Sequence, residues 1–176
     1  DGIGSALPNA ESSGNFIEAG AGNDLVLAGS AADIAYGGAD NDTLYGMGGA
    51  DVLLGEDGAD NIFGDGIQPR DGEPTRNYSP LDAHGNDLIG GGAGNDSLTG
   101  QGGDDDLYGG ADNDVLLGDD SADDTDTPLA LHGNDMLDGG SGLDTLLGGG
   151  RDDMLWGGTN NDELYGDGGA NLPGSA

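Results

Sequence analysis

The chain has no cysteine, no lysine and only three arginines in 176 residues. Without cysteine, neither a disulfide nor a thiolate metal site can hold a fold together. Without a basic face there is nothing to receive phosphate, which excludes nucleic acid as a direct partner. No run of 18 apolar residues occurs, so no segment is expected to span a bilayer as a helix. Aromatic residues are 5% and apolar residues 34% of the chain, too little for a conventional globular core. The chain starts at Asp1 and shows no signal peptide, so it is expected to be a processed or excised piece of something longer. What fills the space is acid and glycine: thirty Asp, five Glu and 40 Gly, with a formal charge of −32 at pH 7. Low hydrophobicity with this much like charge marks a chain that stays unfolded on its own.

The Asp and Gly are periodic. From Ala19 the chain reads AGAGNDLVL, AGSAADIAY, GGADNDTLY, GMGGADVLL and GEDGADNIF. From Gly91 it reads GGAGNDSLT, GQGGDDDLY and GGADNDVLL, and from Gly139 GGSGLDTLL, GGGRDDMLW and GGTNNDELY. Two further units are interrupted. Gly64-Asp65 is completed by HGNDLIG at His84 to Gly90, and Gly118-Asp119 by HGNDMLD at His132 to Asp138. Treating each as one nonad with an inserted loop keeps the phase and gives thirteen units. Residues 10–18 form a degenerate unit, with Asn15 where Asp belongs. The organisation is therefore a degenerate entry coil at 1–18, a repeat region at 19–165 with loops inserted at 66–83 and 120–131, and at 166–176 the start of a further turn or an extension.

Position six is Asp in every unit: Asp24, Asp33, Asp42, Asp51, Asp60, Asp87, Asp96, Asp105, Asp114, Asp135, Asp144, Asp153 and Asp162. Position eight is aliphatic in every unit, from Val26 to Leu164. A nonad is too short for a helix with its connections. Its last three residues alternate as a strand does, with position eight facing one way and seven and nine the other. The first six form a turn. Position four asks for a left-handed backbone, because its non-glycine occupants include Asp40, Asp112 and Asn160, the residue types that best tolerate positive φ. Ala31 and Arg151 depart from this pattern. Two nonads close one flattened coil, and stacked coils pair their strands in parallel around the position-eight side chains. Thirteen nonads make six and a half coils, a stack of about 31 Å.

Alternate nonads fall on the same side, so the Asp residues form two ladders: Asp24, Asp42, Asp60, Asp96, Asp114, Asp144 and Asp162 on one edge, the other six on the opposite edge. Neighbouring carboxylates at about 5 Å repel by roughly 1 kcal/mol in water and 3 or more at an effective dielectric near 20. Over eleven rung-to-rung contacts this is on the order of 10–40 kcal/mol, against a usual net stability of about 5–15. The stack therefore needs cations between its rungs. Carboxylate and carbonyl oxygens suit a hard cation, and calcium accepts six to eight irregular oxygens where magnesium demands a tight octahedron. Roughly eleven Ca2+ ions would bring about +22 of charge and make metal binding and folding one event.

These units match the pattern G-G-x-G-x-D-x-U-x, and the sequence resembles the RTX (haemolysin-type calcium-binding nonapeptide repeat) family over about residues 19–165. The resemblance implies an all-β fold, a right-handed parallel β-roll with calcium held between the turns of nonads n and n+2. The thirteen position-six Asp would give carboxylate oxygens there and the turn backbone carbonyls. It also implies secretion through a type I system into a calcium-rich exterior. Members include toxins, proteases, lipases, adhesins and S-layer proteins, and the toxin pore, catalytic domain and C-terminal secretion segment of such proteins are missing from these residues.

The remaining features have plainer readings. His84 and His132 lack a partner at ligand spacing in the sequence and are expected to be structural, where each loop rejoins the roll. With no Cys and no G-x-S-x-G, nucleophilic catalysis has no support, and the chain is expected not to be an enzyme. The loop at 120–131 is acidic but lacks the glycine and terminal Glu of an EF-hand. The loop at 66–83 carries Arg70 and Arg76 and is stiffened by Pro69, Pro74 and Pro80. Those arginines are expected to pair either with nearby ladder acids of the same chain or with acidic loops of a neighbouring molecule. Position nine is large in ten of thirteen units, giving outward stripes that serve either as a self-stabilising ladder or as an interface. The reading is an extracellular or cell-surface calcium-binding structural module that folds on binding calcium, part of a filament, S-layer, adhesin or similar assembly, self-associating end to end or laterally. The alternative is the secretion and folding module of a larger exported enzyme or toxin.

Overall fold

The computed structural model describes residues 13–66, 84–119 and 131–167. The first half of these residues forms β1 (Phe16–Ala21), β2 (Leu25–Gly29), β3 (Ile34–Ala39), β4 (Thr43–Met47), β5 (Val52–Asp57), β6 (Asn61–Asp65) and β7 (Leu88–Ala93). The second half forms β8 (Ser97–Gln101), β9 (Asp106–Ala111), β10 (Val115–Asp119), β11 (Met136–Ser141), β12 (Thr145–Gly149), β13 (Met154–Trp156) and β14 (Glu163–Asp167). The odd strands make one seven-stranded sheet in the order β1-β3-β5-β7-β9-β11-β13, and the even strands make the other. Every pair is parallel. This is the all-β parallel roll that the nine-residue period predicts.

The register shows that the insertions leave the phase intact. Uninterrupted coils pair residues 18 apart, as Val26 with Leu44. Across the first insertion Leu53 pairs with Ile89, and across the second Leu107 pairs with Leu137. The extra spacings equal the loop lengths read from the sequence, so position eight meets position eight throughout. Arg70, Arg76, the three loop prolines, most of the acidic loop, residues 1–12 and residues 168–176 lie outside the described residues.

The core is a double file of position-eight side chains between the two sheets. Val26, Ala35, Leu44, Leu53, Ile62, Ile89, Leu98, Leu107, Leu116, Leu137 and Leu146 are all completely buried. Each buried Leu contributes about 1.5–3 kcal/mol relative to exposure, which gives this glycine-rich chain its one apolar seam. Leu155 is only partly buried, and Leu164 on the outermost strand β14 is 44% exposed.

Three details differ from the sequence reading. The degenerate unit forms a complete strand, with Ile17 in the position-eight role opposite Ala35, so each sheet has seven strands. The strands also run past position nine into positions one and two of the next nonad, where Gly20 pairs with Gly38. The turn proper is thus shorter than six residues, because flat glycine backbone continues the ladder. Position two is a second left-handed column beside position four, and it holds Met47, Glu56 and Gln101 at φ 89°, 79° and 82°. At position four, Asp40, Asp112 and Asn160 are left-handed as expected, and so is Arg151 at φ 82°, whereas Ala31 is not.

Outward side chains at position nine are partly stacked: the Tyr45 and Phe63 rings lie parallel at 4.8 Å. The column is not uniformly open, since Thr99 and Leu147 are buried. The larger exposed apolar area belongs to the sheet of odd strands, at Phe16, Ile34, Leu88, Tyr108, Met154 and Trp156.

Candidate metal centre

Each turn on an edge lies one coil from the next, which brings the position-six Asp residues into register. The backbone amide of each donates to Oδ1 of the Asp one coil on. On the first edge the chain of bonds runs Asp24, Asp42, Asp60, Asp96, Asp114, Asp144, Asp162 at 2.8–3.1 Å. On the second it runs Asp33, Asp51, Asp87, Asp105, Asp135, Asp153 at 2.7–3.0 Å. All thirteen predicted residues therefore lie in the two ladders. Asn15 extends the second, its amide donating to Asp33 Oδ1 and its side-chain Nδ2 donating to the Ala28 carbonyl at 3.0 Å.

The amide bonds use only one oxygen of each carboxylate. The other, Oδ2, is buried without a hydrogen-bond partner in Asp24, Asp33, Asp42, Asp51, Asp60, Asp87, Asp96, Asp105, Asp114, Asp135 and Asp144. A buried polar atom left unmatched costs about 1–3 kcal/mol, more for an ion. Eleven in two straight files form a repeated feature of the roll.

Backbone oxygens converge on the same places. A methyl group placed on Gly55, at position one, would lie 2.1 Å from Asp60 Oδ2 and 2.7 Å from the Gly91 carbonyl oxygen. Glycine at position one leaves this space between a carboxylate and the carbonyl of the next turn. A methyl on Gly58, at position four, would lie 2.0 Å from the Asp40 carbonyl oxygen and 3.2 Å from Asp60 Oδ1. Around Gly55 and Gly58 the polar atoms nearest these spaces are carboxylate and carbonyl oxygens. Among the described residues no three His, Cys, Asp or Glu side chains are grouped to hold a metal, so any ion here draws on carbonyls as well as carboxylates. That donor set fits a hard, oxygen-seeking cation of flexible geometry.

The electrostatics agree, with a change of emphasis. Burial pushes the Asp105 carboxyl up to about 9 and Asp51 to about 8. Asp87, Asp114 and Asp135 rise to about 7 and Asp96 to about 6. Asp33, Asp42, Asp60 and Asp144 are also raised. In every case loss of water is the largest cause, and repulsion by neighbouring rungs is smaller. From the sequence, rung-to-rung repulsion is expected to dominate. The structure moves it to second place, because the amide that each Oδ1 accepts offsets part of that repulsion while nothing offsets burial of Oδ2.

Both histidines meet carboxylates at the loop bases, as their structural reading expects. His84 Nδ1 lies 2.5 Å from Asp65 Oδ2, and His132 Nδ1 lies 3.0 Å from Asp119 Oδ2. Asp65 and Asp119 were missed in the sequence, although both stand immediately before an insertion. A second, exposed ladder at position five was missed too. Asn95 Oδ1 accepts the Asn113 amide at 2.8 Å, Asn113 Oδ1 accepts the Leu143 amide at 2.9 Å, and Asp104 Oδ1 accepts the Asn134 amide at 2.8 Å. The recurring Asn-Asp doublet was its visible signal.

The family model for the RTX calcium-binding nonapeptide repeat (4 copies) matches residues 10–44, 36–66, 85–116, 131–146 and 138–172. No curated protein matches the chain. RTX repeats bind calcium and are typical of secreted proteins. With most of its residues matched and the roll built as described, the chain belongs to the RTX calcium-binding nonapeptide repeat family.

Proposed function

We propose that this roll is an extracellular structural module whose order is switched on by calcium, with the thirteen position-six Asp as the carboxylate ligands. The observation that carries the reading is the double file of buried, unmatched Oδ2 atoms. Calcium, when bound, supplies positive charge and six to eight oxygen contacts. Its candidate donors are Oδ2 of one turn, the position-one carbonyl of the next, and the position-two and position-four carbonyls, a reading supported by the oxygens that crowd these glycines. One ion per rung-to-rung gap gives roughly eleven. In calcium-poor cytosol the carboxylates stay hydrated and the chain stays open, and outside the cell the roll closes.

The task we assign to the closed roll is mechanical, as a segment of a surface assembly, filament, S-layer or adhesin. Support comes from the apolar side chains exposed on the outer face of the odd-stranded sheet, among them Leu88, Tyr108, Met154 and Trp156, the last 49% exposed. Far-ultraviolet circular dichroism with and without calcium tests the switch, and a chain already β-rich in excess chelator contradicts it. Electron microscopy of the calcium form tests the task. Ordered polymers or sheets support it, whereas monodisperse folded monomers favour the folding module of a larger exported enzyme or toxin.

A further inference from the structure

Both inserted loops enter and leave the roll through the same residues, G-D before and H-G-N-D after, and on the same edge. These turns are built differently from their neighbours. In an uninterrupted turn the position-two carbonyl lies over position two of the next turn. A methyl on Gly110 would fall 2.2 Å from the Gly92 carbonyl oxygen, and one on Gly140 2.3 Å from that of Gly110. In the interrupted units neither position two (Asp65, Asp119) nor position four (Gly85, Gly133) is left-handed. Above Asp119 the atoms nearest a methyl on Gly149 are those of the Asp119 side chain, with Oδ2 at 2.6 Å, and not its carbonyl.

That carboxylate is already in use. Asp119 is fully buried. Its Oδ2 faces His132 Nδ1 at 3.0 Å and accepts the Gly150 amide at 2.9 Å, while Oδ1 accepts the Gly133 amide at 3.2 Å. Asp65 repeats the arrangement at Oδ2 only: it is fully buried, its Oδ2 faces His84 Nδ1 at 2.5 Å and accepts the Gly102 amide at 3.4 Å, and its Oδ1 is buried without a hydrogen-bond partner. Elsewhere on this edge the equivalent amide goes to a backbone carbonyl, as Gly48 does to Gly29 at 3.1 Å. The imidazoles fill the space over the next turn. A methyl on Gly102 would lie 2.9 Å from His84 Nδ1, and one on Gly150 2.7 Å from His132 Nδ1.

We infer that the Asp65–His84 and Asp119–His132 pairs are metal-free closures, each standing in the gap between its own turn and the next for the calcium an uninterrupted turn takes. Asp87 and Asp135 keep their unmatched Oδ2 in these gaps. The position-two carbonyl that would share an ion with them has been replaced by a carboxylate whose Oδ2 is taken by nitrogen donors in both pairs. An inserted loop is thereby fastened at its base by hydrogen bonds, and its attachment does not depend on the ion. The roll then loads two fewer ions than it has rung-to-rung gaps. The inference rests on calcium occupying the regular gaps.

The test counts calcium per chain by native mass spectrometry of the full chain. Deleting 120–131 with Asp119→Gly and His132→Ala leaves the continuous nonad GGAGNDMLD, which begins with the same six residues as Gly91 to Asp96. Deleting 66–83 with Asp65→Gly and His84→Ala does the same for the first interrupted unit. Each regularised chain is expected to gain one ion, and chains that lose only the loop while keeping the Asp–His pair are expected to gain none. Equal counts in the parent and both regularised chains overturn this inference alone, and a parent that binds no calcium overturns the calcium reading with it. Should the regularised chains not fold, the parent's only two imidazoles give a second reading by nitrogen NMR. Both Nδ1 atoms of the calcium-loaded roll are expected to bear hydrogen directed at carboxylate, and bare Nδ1 atoms overturn the inference.

Discussion

Removing calcium and then lowering the pH should restore, in part, what the metal held in place. In the metal-free roll Asp105 titrates at about 9 because of burial, against 3.8 for an exposed Asp. A folded-state value raised above the unfolded one favours the fold below the unfolded value and loses that support as pH rises through the folded one. At pH 7 the unfolded carboxyl is ionised, and holding Asp105 in the roll costs about 4 kcal/mol. Asp87 at about 7 adds a cost of similar size. Asp51, Asp114 and Asp135 add less each once solvent screening is allowed for. Together these match or exceed the usual net stability of about 5–15 kcal/mol, so the calcium-free chain should be unfolded at neutral pH. Protonation near pH 4 removes most of this penalty. In calcium-stripped buffer, β-type circular dichroism and slowed amide exchange are expected to grow as pH falls from 9 to 4, with the change spread between the unfolded value of 3.8 and the raised values of about 6 to about 9. With saturating calcium the dependence should flatten. Metal-free β-structure that stays constant over this range, or grows as pH rises, refutes the desolvation argument.

Four further outcomes follow from single residues. Asp96→Asn keeps the size of the side chain but removes charge from a gap, so the calcium count should drop by about one while β-content in excess calcium persists, as native mass spectrometry beside circular dichroism would show. Gly55→Ala places a methyl 2.1 Å from Asp60 Oδ2, and the calcium midpoint of folding should move to higher concentration. Leu98→Ala empties a fully buried core position and should cost about 2–5 kcal/mol in denaturant unfolding of the calcium form. Glu56→Gly relieves a left-handed residue at φ 79° and should raise stability by about 1 kcal/mol in the same assay.

The ladders were legible in the sequence because a roll repeats its chemistry once per turn. Two residue columns held without exception, Asp at six and an aliphatic at eight, leave few alternatives. Even the insertions could be bridged, since Leu53 still meets Ile89. Less legible was whatever depends on the position of a neighbouring coil rather than on residue type. Met47, Glu56 and Gln101 do not advertise positive φ; Glu56 stands between Gly38 and Gly92 in its column, but Gln101 pairs with Asp119, so the neighbouring residue types alone do not announce the conformation. The partners of His84 and His132 stand across insertions of unknown course, so only geometry could join them to Asp65 and Asp119. The ordering of electrostatic causes was hidden for the same reason: spacing can be counted from a repeat, but the enclosure of Oδ2 depends on two flanking turns.

The amide bonds of the two position-six Asp ladders all point one way. Every rung hands its amide forward to the carboxylate of a later coil, from Asp24 toward Asp162 and from Asp33 toward Asp153. The stack is therefore a polar object, like an arrow, with unlike faces at its two extremities. A coil added beyond Asp162 arrives bearing an acceptor, and one added before Asp24 arrives bearing a donor. Continuation of the ladder across a junction between molecules requires nose to follow tail, and mirror-wise meeting of equal faces breaks it.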